Sequence, residues 1–152
     1  MISNLSEVKA HHRRFLAKHA RLLDIKTRGA AQFIEEYVRQ NPTFKPRTGR
    51  LQSSVQGKVV RTGGRTIVIR GQSDGRKAPY NQAIEFGARP HRIVARKKKA
   101  LRFVVNGQPV FRRAVNHPGN KPYKFLYRAT YAAGRKFGVE MQADMARLAS
   151  TF

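Results

Sequence analysis

The first forty residues constrain this fold more than any other stretch. Leu5, Val8, His12, Phe15, His19 and Leu22 recur at steps of three and four, while Leu16, Leu23, Ala30, Phe33, Ile34, Tyr37 and Val38 widen the same stripe. That period predicts one helix from about residue 4 to 40, with Ser3 or Ser6 as its cap and Asn41-Pro42 as its stop. Unbroken, it would reach about 54 Å at 1.5 Å per residue, long for a small domain. Gly29 is the candidate break. So long a stripe should pack beyond its own domain, which makes Leu5, Val8, His12, Phe15 and His19 candidates for contact with a neighbouring subunit.

A second helical pattern runs from about 124 to 149, with Leu126, Thr130, Ala133, Phe137, Met141, Met145 and Leu148 on one face. Gly134 and Gly138 each weaken it by about 1 kcal/mol against Ala, which suggests a close backbone approach. Between the helices lies a sheet region, about 50 to 117. "SVQGKVVRT" and "RTIVIRG" flank Gly63-Gly64 and read as a hairpin. "YNQAIEFGARPH" reads as one or two helical turns ended by Gly87. Strands are expected around 92–96, 100–105 and 109–115, with Asn106-Gly107 turning the last pair. Both helices need a surface for their apolar stripes, and the sheet offers one. The expectation is an α+β fold in a single domain, 1–152: a small, mostly antiparallel sheet packed by a long N-terminal helix and a C-terminal helix.

Charge narrows the function. Lys and Arg number 32 against 8 Asp and Glu, a net charge of +24. No carboxylate lies between Glu85 and Glu140, where 14 Lys or Arg occur, and none lies from Tyr37 to Ser73. Acids concentrate in the two terminal helices, which leaves the middle of the fold to face a polyanion. The run Arg96, Lys97, Lys98, Lys99 and Arg102, with Arg112 and Arg113, is the candidate surface for DNA or an acidic partner. Its contact would be sequence-neutral, since no reading helix or base-stacking platform is evident. There is no cysteine, so thiol chemistry is excluded. No apolar run approaches the roughly 20 residues that span a bilayer, and the N-terminus shows no signal-peptide core. A soluble, intracellular product is expected.

No catalytic, metal or cofactor site is expected. His12 and His19 stand two turns apart, too far to share one ion. His117 invites a general-base reading, but neither an acid nor a second histidine lies near it in sequence. Its "HPGN" context suits a tight turn, with Pro fixing φ and Gly supplying φ > 0. Glu85, alone among cations, reads as an ion-pair anchor with a structural role.

Three segments in order carry a resemblance. "TGRLQSSV" follows the long helix, "YNQAIEFGA" follows the hairpin, and "VNHPGNKPYKFLYRA" precedes the last helix. The order resembles the neck, or tail-completion, proteins of long-tailed bacteriophages, also described as head–tail joining or minor tail proteins. The matching residues are Thr48, Gly49, Leu51, Ser54, Tyr80, Glu85, Phe86, Gly87, His117, Pro118, Gly119, Phe125, Leu126 and Ala129. Ala88 stands where that family often has Thr. The resemblance implies a non-enzymatic virion subunit, assembled as a homo-oligomeric ring at the head–tail junction after synthesis in the host cytoplasm. It implies as partners a portal, adaptor or head-closure protein, a tail tube or tail terminator protein, and genomic double-stranded DNA, with no membrane. Two other readings stay open on the residues: a general basic nucleic-acid-binding protein, and a metal-independent nuclease using His117.

Overall fold

A computed structural model describes residues 4–62, 66–96 and 98–150. Ser3, the Gly63-Gly64 pair and Lys97 lie outside the described residues. The elements, in order, are α1 (Leu5–Gln40), α2 (Arg50–Ser54), β1 (Val55–Thr62), β2 (Thr66–Ser73), α3 (Asn81–Phe86), β3 (His91–Val94), β4 (Leu101–Val105), β5 (Gln108–Arg112), β6 (Ala114–His117) and α4 (Phe125–Ser150). The α+β expectation holds, with a long N-terminal helix, a C-terminal helix and small antiparallel strand pairs, of which β1–β2 is the one both helices pack against. The strands form three separate ribbons, β1–β2, β3–β6 and β4–β5, rather than one sheet. The stretch expected as one strand at 109–115 breaks at Arg113. Its first part pairs with β4 and its second with β3.

Helix α1 runs unbroken through Gly29, because buried neighbours on either side, Thr27, Ala30 and Ala31, are held by packing. Its cap is Asn4, whose side chain accepts the Ser6 N–H at 3.2 Å; Ser6 is already inside the helix. At the other end Asn41 N–H closes on the Tyr37 carbonyl. Thr27, Ala30, Ala31, Ile34 and Val38 form the buried stripe. Towards the N-terminus Leu5, Val8 and Leu16 stay exposed, Leu5 at 68%.

The core joins Ile34 and Val38 to Leu51, Val55, Ala78, Phe125, Ala129 and Ala133. Five of the ten buried hydrophobic residues described are alanines, so backbones approach closely and little side-chain volume is enclosed. The tightest approach is at Gly57 of β1, where any Cβ would collide with the Ala31 carbonyl. Its N–H donates instead to Glu35 Oε1 of α1 at 3.0 Å, which covers an otherwise open strand edge. Its cross-strand partner is Gly71, whose absent Cβ leaves room for Thr130, Leu126 and Ile34. The glycine pair makes a notch into which both helices settle. Gly134 and Gly138 do not repeat this: nothing approaches either, which corrects the expectation of close packing there.

Helices α1 and α4 run antiparallel. Lys26 reaches Asp144 at 2.7 Å and Glu140 at 3.3 Å, and Glu140 also pairs with Lys136 at 2.7 Å. Lys136 in turn lies over the Phe33 ring. Hydrogen bonds to Asp144 and Glu140 raise the Lys26 pKa above its ordinary 10.5. Those from Lys136 and Lys26 lower that of Glu140 below 4.5. The stability lent by Glu140 is therefore present above pH 4.5 and lost as pH falls through its depressed folded value. That lent by Lys26 is present below pH 10.5 and lost as pH rises through its raised one.

For all this, the chain exposes 12189 Å². A compact 17.3 kDa monomer would expose about 7,800 Å², so about 4,400 Å² is in excess.

Two substitutions should move stability in opposite directions in urea unfolding. Gly57→Ala should destabilise by about 3 kcal/mol, since backbone has to move. Gly134→Ala should stabilise by about 1 kcal/mol. Equal midpoints for Gly57→Ala and wild type would remove the notch as an organising contact. In a pH series, Glu140→Gln should lose less stability than wild type as pH drops below 4.5.

Candidate functional site

The three segments of the resemblance converge on one corner of the molecule. Glu85, on α3, is buried, and its carboxylate caps α4: Oε2 accepts from Leu126 N–H at 2.8 Å and Oε1 from Tyr127 N–H at 3.0 Å. Negative charge at a helix N-terminus satisfies orphan donors and complements the dipole. The anchor expected of Glu85 is thus a helix cap rather than an ion pair. Next along the chain, Gly87 (φ +82°) brings Ala88 against Asn120, and the two exchange backbone hydrogen bonds at 3.0 and 2.9 Å. Gly119 (φ +80°) is also required, because a Cβ there would strike the Ala88 carbonyl. Asn120 fastens the corner further by donating to the Ala83 carbonyl at 2.8 Å. Beyond it, Phe125 is buried edge-on to Phe44, with Leu126 half-buried beside it. Phe86, by contrast, is 77% exposed.

His117 belongs to this corner. Its Nδ1 accepts the Gly119 N–H at 3.0 Å, leaving the ring proton on Nε2. Sequence distance hid its neighbour: His91 is its cross-strand partner, and the rings stack at 5.1 Å. The His91 Nδ1 meets the Arg89 carbonyl at 2.8 Å, so that nitrogen carries a proton. Two rings stacked face to face leave no room for a phosphate between them. Opposed acid and base groups, as in two-histidine cleavage, are not what this pair offers.

Beside the corner opens a cleft of about 450 Å³ where Thr48, Gly49 and Leu51 meet Tyr80 and His117. Gly49 has φ +68°, and from it α2 begins, with Ser53 N–H bonded to its carbonyl. At the inner end of α2, Ser54 bonds to Ser73, and Ser73 to Asn81, which ties α2, β2 and α3 together. Lys45 and Arg47 line the same cleft. Sequence reading passed over them, since two isolated cations in a proline linker carry no periodic signal.

The cationic candidates lie apart from this corner. Arg96, Lys98 and Lys99 occupy the bend from β3 to β4, and Arg113 the step from β5 to β6. Ala95 N–H bonds to the Arg113 carbonyl, which sets Arg96 beside Arg113. Arg102 and Arg112 fall on opposite faces of the β4–β5 ribbon: Arg102 pairs across with exposed Phe111, and Arg112 with Leu101. All six described candidates are exposed, and none has a carboxylate partner among the described residues. The described ion pairs lie instead on α1, β1 and α4. Of the N-terminal interface candidates, Leu5, Val8 and His12 are exposed and Phe15 and His19 half-exposed.

No family model, curated protein or solved structure matches the chain. Among the described residues there is no group of three or more His, Asp or Glu placed to hold a metal, and no helix long and apolar enough to cross a membrane. One further surface stands out: Tyr127 and Tyr131, exposed on α4, stack at 6.3 Å with 15° between their planes. Their spacing of four in an unrecognised helix face was the signal available in sequence.

Removing the α4 cap by Glu85→Ala should cost about 2 kcal/mol, because two N–H groups lose a buried anionic acceptor. Amide exchange at Leu126 and Tyr127 should accelerate, and Glu85→Gln should fall between. Unchanged exchange at both amides would contradict the capping role.

Proposed function

We propose that this chain is a structural subunit of a tailed-phage head–tail junction, assembled with copies of itself into a ring around the DNA channel. Its further partners in this reading are a portal, adaptor or head-closure protein on one side and a tail tube or tail terminator protein on the other. The observation that carries it is the segregation of charge. The scarce carboxylates serve the helical layer, and the ribbons present Arg96, Lys98, Lys99, Arg102, Arg112 and Arg113 uncompensated. A sequence-neutral cationic surface suits DNA that passes through, whatever its sequence. The excess surface supports assembly, since two standard contact faces would bury about 1,600 Å² per subunit, well within it. The convergence of all three resembling segments on one corner supports the resemblance itself.

A second reading, general nucleic-acid binding by a monomer, is favoured by the exposed Tyr127–Tyr131 stack, which suits unpaired bases better than a duplex. The two readings separate by experiment. Electron microscopy of the purified protein should show rings, and duplex DNA should bind at least as well as single strands. Replacing Lys98, Lys99 and Arg102 with Ala should make the slope of log K against log salt shallower by about 0.9 for each phosphate contact removed. A salt slope identical to wild type would take the ribbons off the DNA. A monomer preferring single strands would overturn the ring.

A further inference from the structure

The β4–β5 ribbon stands apart from the rest of the fold. Its two strands pack chiefly against each other, whereas both long helices pack against β1–β2. Register and pleat sort its side chains onto two faces. The inner face carries half-buried Leu101, Phe103 and Val110, and Leu101 and Phe103 line a cavity of about 440 Å³ together with Ile93 and Val115. The outer face carries Arg102 and Val104 on β4 opposite Phe111 and Pro109 on β5. There Val104 is 63% and Phe111 57% exposed, an apolar strip left bare among the described residues. Two strands alone are marginally stable in water, so the bare face suits a partner.

Every charge carried by the ribbon and its two connections has one sign. Lys98 and Lys99 lead into β4, Arg102 lies on the strip itself, Arg112 ends β5 and Arg113 makes the step to β6. All five are exposed and lack a carboxylate partner among the described residues, and no acid occurs in the sequence between Glu85 and Glu140. A second copy is a poor occupant. At +24 it brings like charge, and Pro109 removes an N–H from β5, which blunts strand addition. Duplex DNA fits on both counts, since its phosphates meet the cations and its groove admits a two-stranded ribbon. Phosphates cannot engage the apolar strip, but base pairs can: Phe and Pro side chains enter between them and partly unstack the step.

We infer that the β4–β5 ribbon enters a groove of duplex DNA and sets Phe111, with Val104 and Pro109 beside it, into a base step that opens to receive it. Lys98, Lys99, Arg102 and Arg113 hold the flanking phosphates. This rests on the ring reading and deepens it. Phosphate contacts alone let a protein slide along DNA. A wedge between base pairs pins it, so a ring bearing such ribbons grips the DNA in its channel as well as admitting it. Pyrimidine–purine steps unstack most easily, and the grip is firmest there although no base edge is read.

A short linear duplex carrying 2-aminopurine at a TA step tests it with full-length protein, since that base fluoresces more strongly when unstacked. Saturating wild type should raise the fluorescence. Phe111→Leu should keep the rise, because Leu also serves as a wedge, and Phe111→Ser should abolish it. Phe111 is exposed and uncharged, so all three proteins should share one circular dichroism spectrum and one slope of log K against log salt. A Phe111→Ser variant that unstacks the base as wild type does would overturn the wedge. So would a wild type that binds the duplex with no rise, an outcome that leaves phosphate contact and the ring reading standing. Binding to phosphatidylserine vesicles that weakens in Phe111→Ser, with no rise on DNA, would move the ribbon to a lipid surface and overturn the proposal. A wild type with no affinity for duplex DNA would overturn the DNA-channel reading as well.

Discussion

Glu85 sits on a six-residue helix, yet both of its oxygens serve the first turn of another helix forty residues on. The turn carrying it, the glycine that follows and the Ala88 end of the bridge to Asn120 all lie within a few residues of one another. Fixing the start of α4 fixes where Phe125, Ala129 and Ala133 enter the core, and hence where α4 meets α1. With half the described core hydrophobics being alanine, the fold has little apolar volume to absorb misplacement. A buried anion that satisfies two backbone donors does what a larger core would otherwise do.

The same scarcity shapes the surface. Eight acids cannot neutralise 32 cations, and five of them, Asp24, Glu35, Glu85, Glu140 and Asp144, act where elements join. Asp24 pairs with Arg28 and with Arg61 of β1, Glu35 reaches both Arg39 and the β1 edge, and Asp144 ties α4 to α1. The ribbons beyond carry charge with nothing to balance it. Structural economy and partner-facing charge are therefore two results of one composition.

Much of this was legible. The three-four stepping in the first forty residues gave α1 nearly to the residue, and Asn106-Gly107 gave the β4–β5 turn, with φ of +49° and +80°. What stayed hidden was pairing at a distance. Nothing local tells a chain that 114–117 will leave β5 for β3, or that His91 will lie under His117. Gly57 and Gly71 looked like ordinary strand residues, because their meaning lies in what presses on them. Gly134 and Gly138 invited the same reading wrongly. The Lys45–Arg47 cleft draws on three separate segments, and no single window contains it.

The apolar stripe of α1 has two covers, and they are made at very different times. The β1–β2 ribbon, which brings Gly57 against Ala31, follows α1 within about thirty residues. Helix α4 follows only after some eighty-five. The ribbon is complete at Ser73, some fifty residues before α4 begins, so at translation rates of 5–20 residues per second α1 and the ribbon exist without their lid for about 3–10 s. The helix–ribbon unit is local enough to form first, and α4 arrives as the slow, long-range closure. A nascent chain of this protein passes through a stage in which the side of α1 that will meet Phe125, Ala129 and Ala133 faces water, on the same helix whose Leu5 and Val8 stay exposed when folding is done.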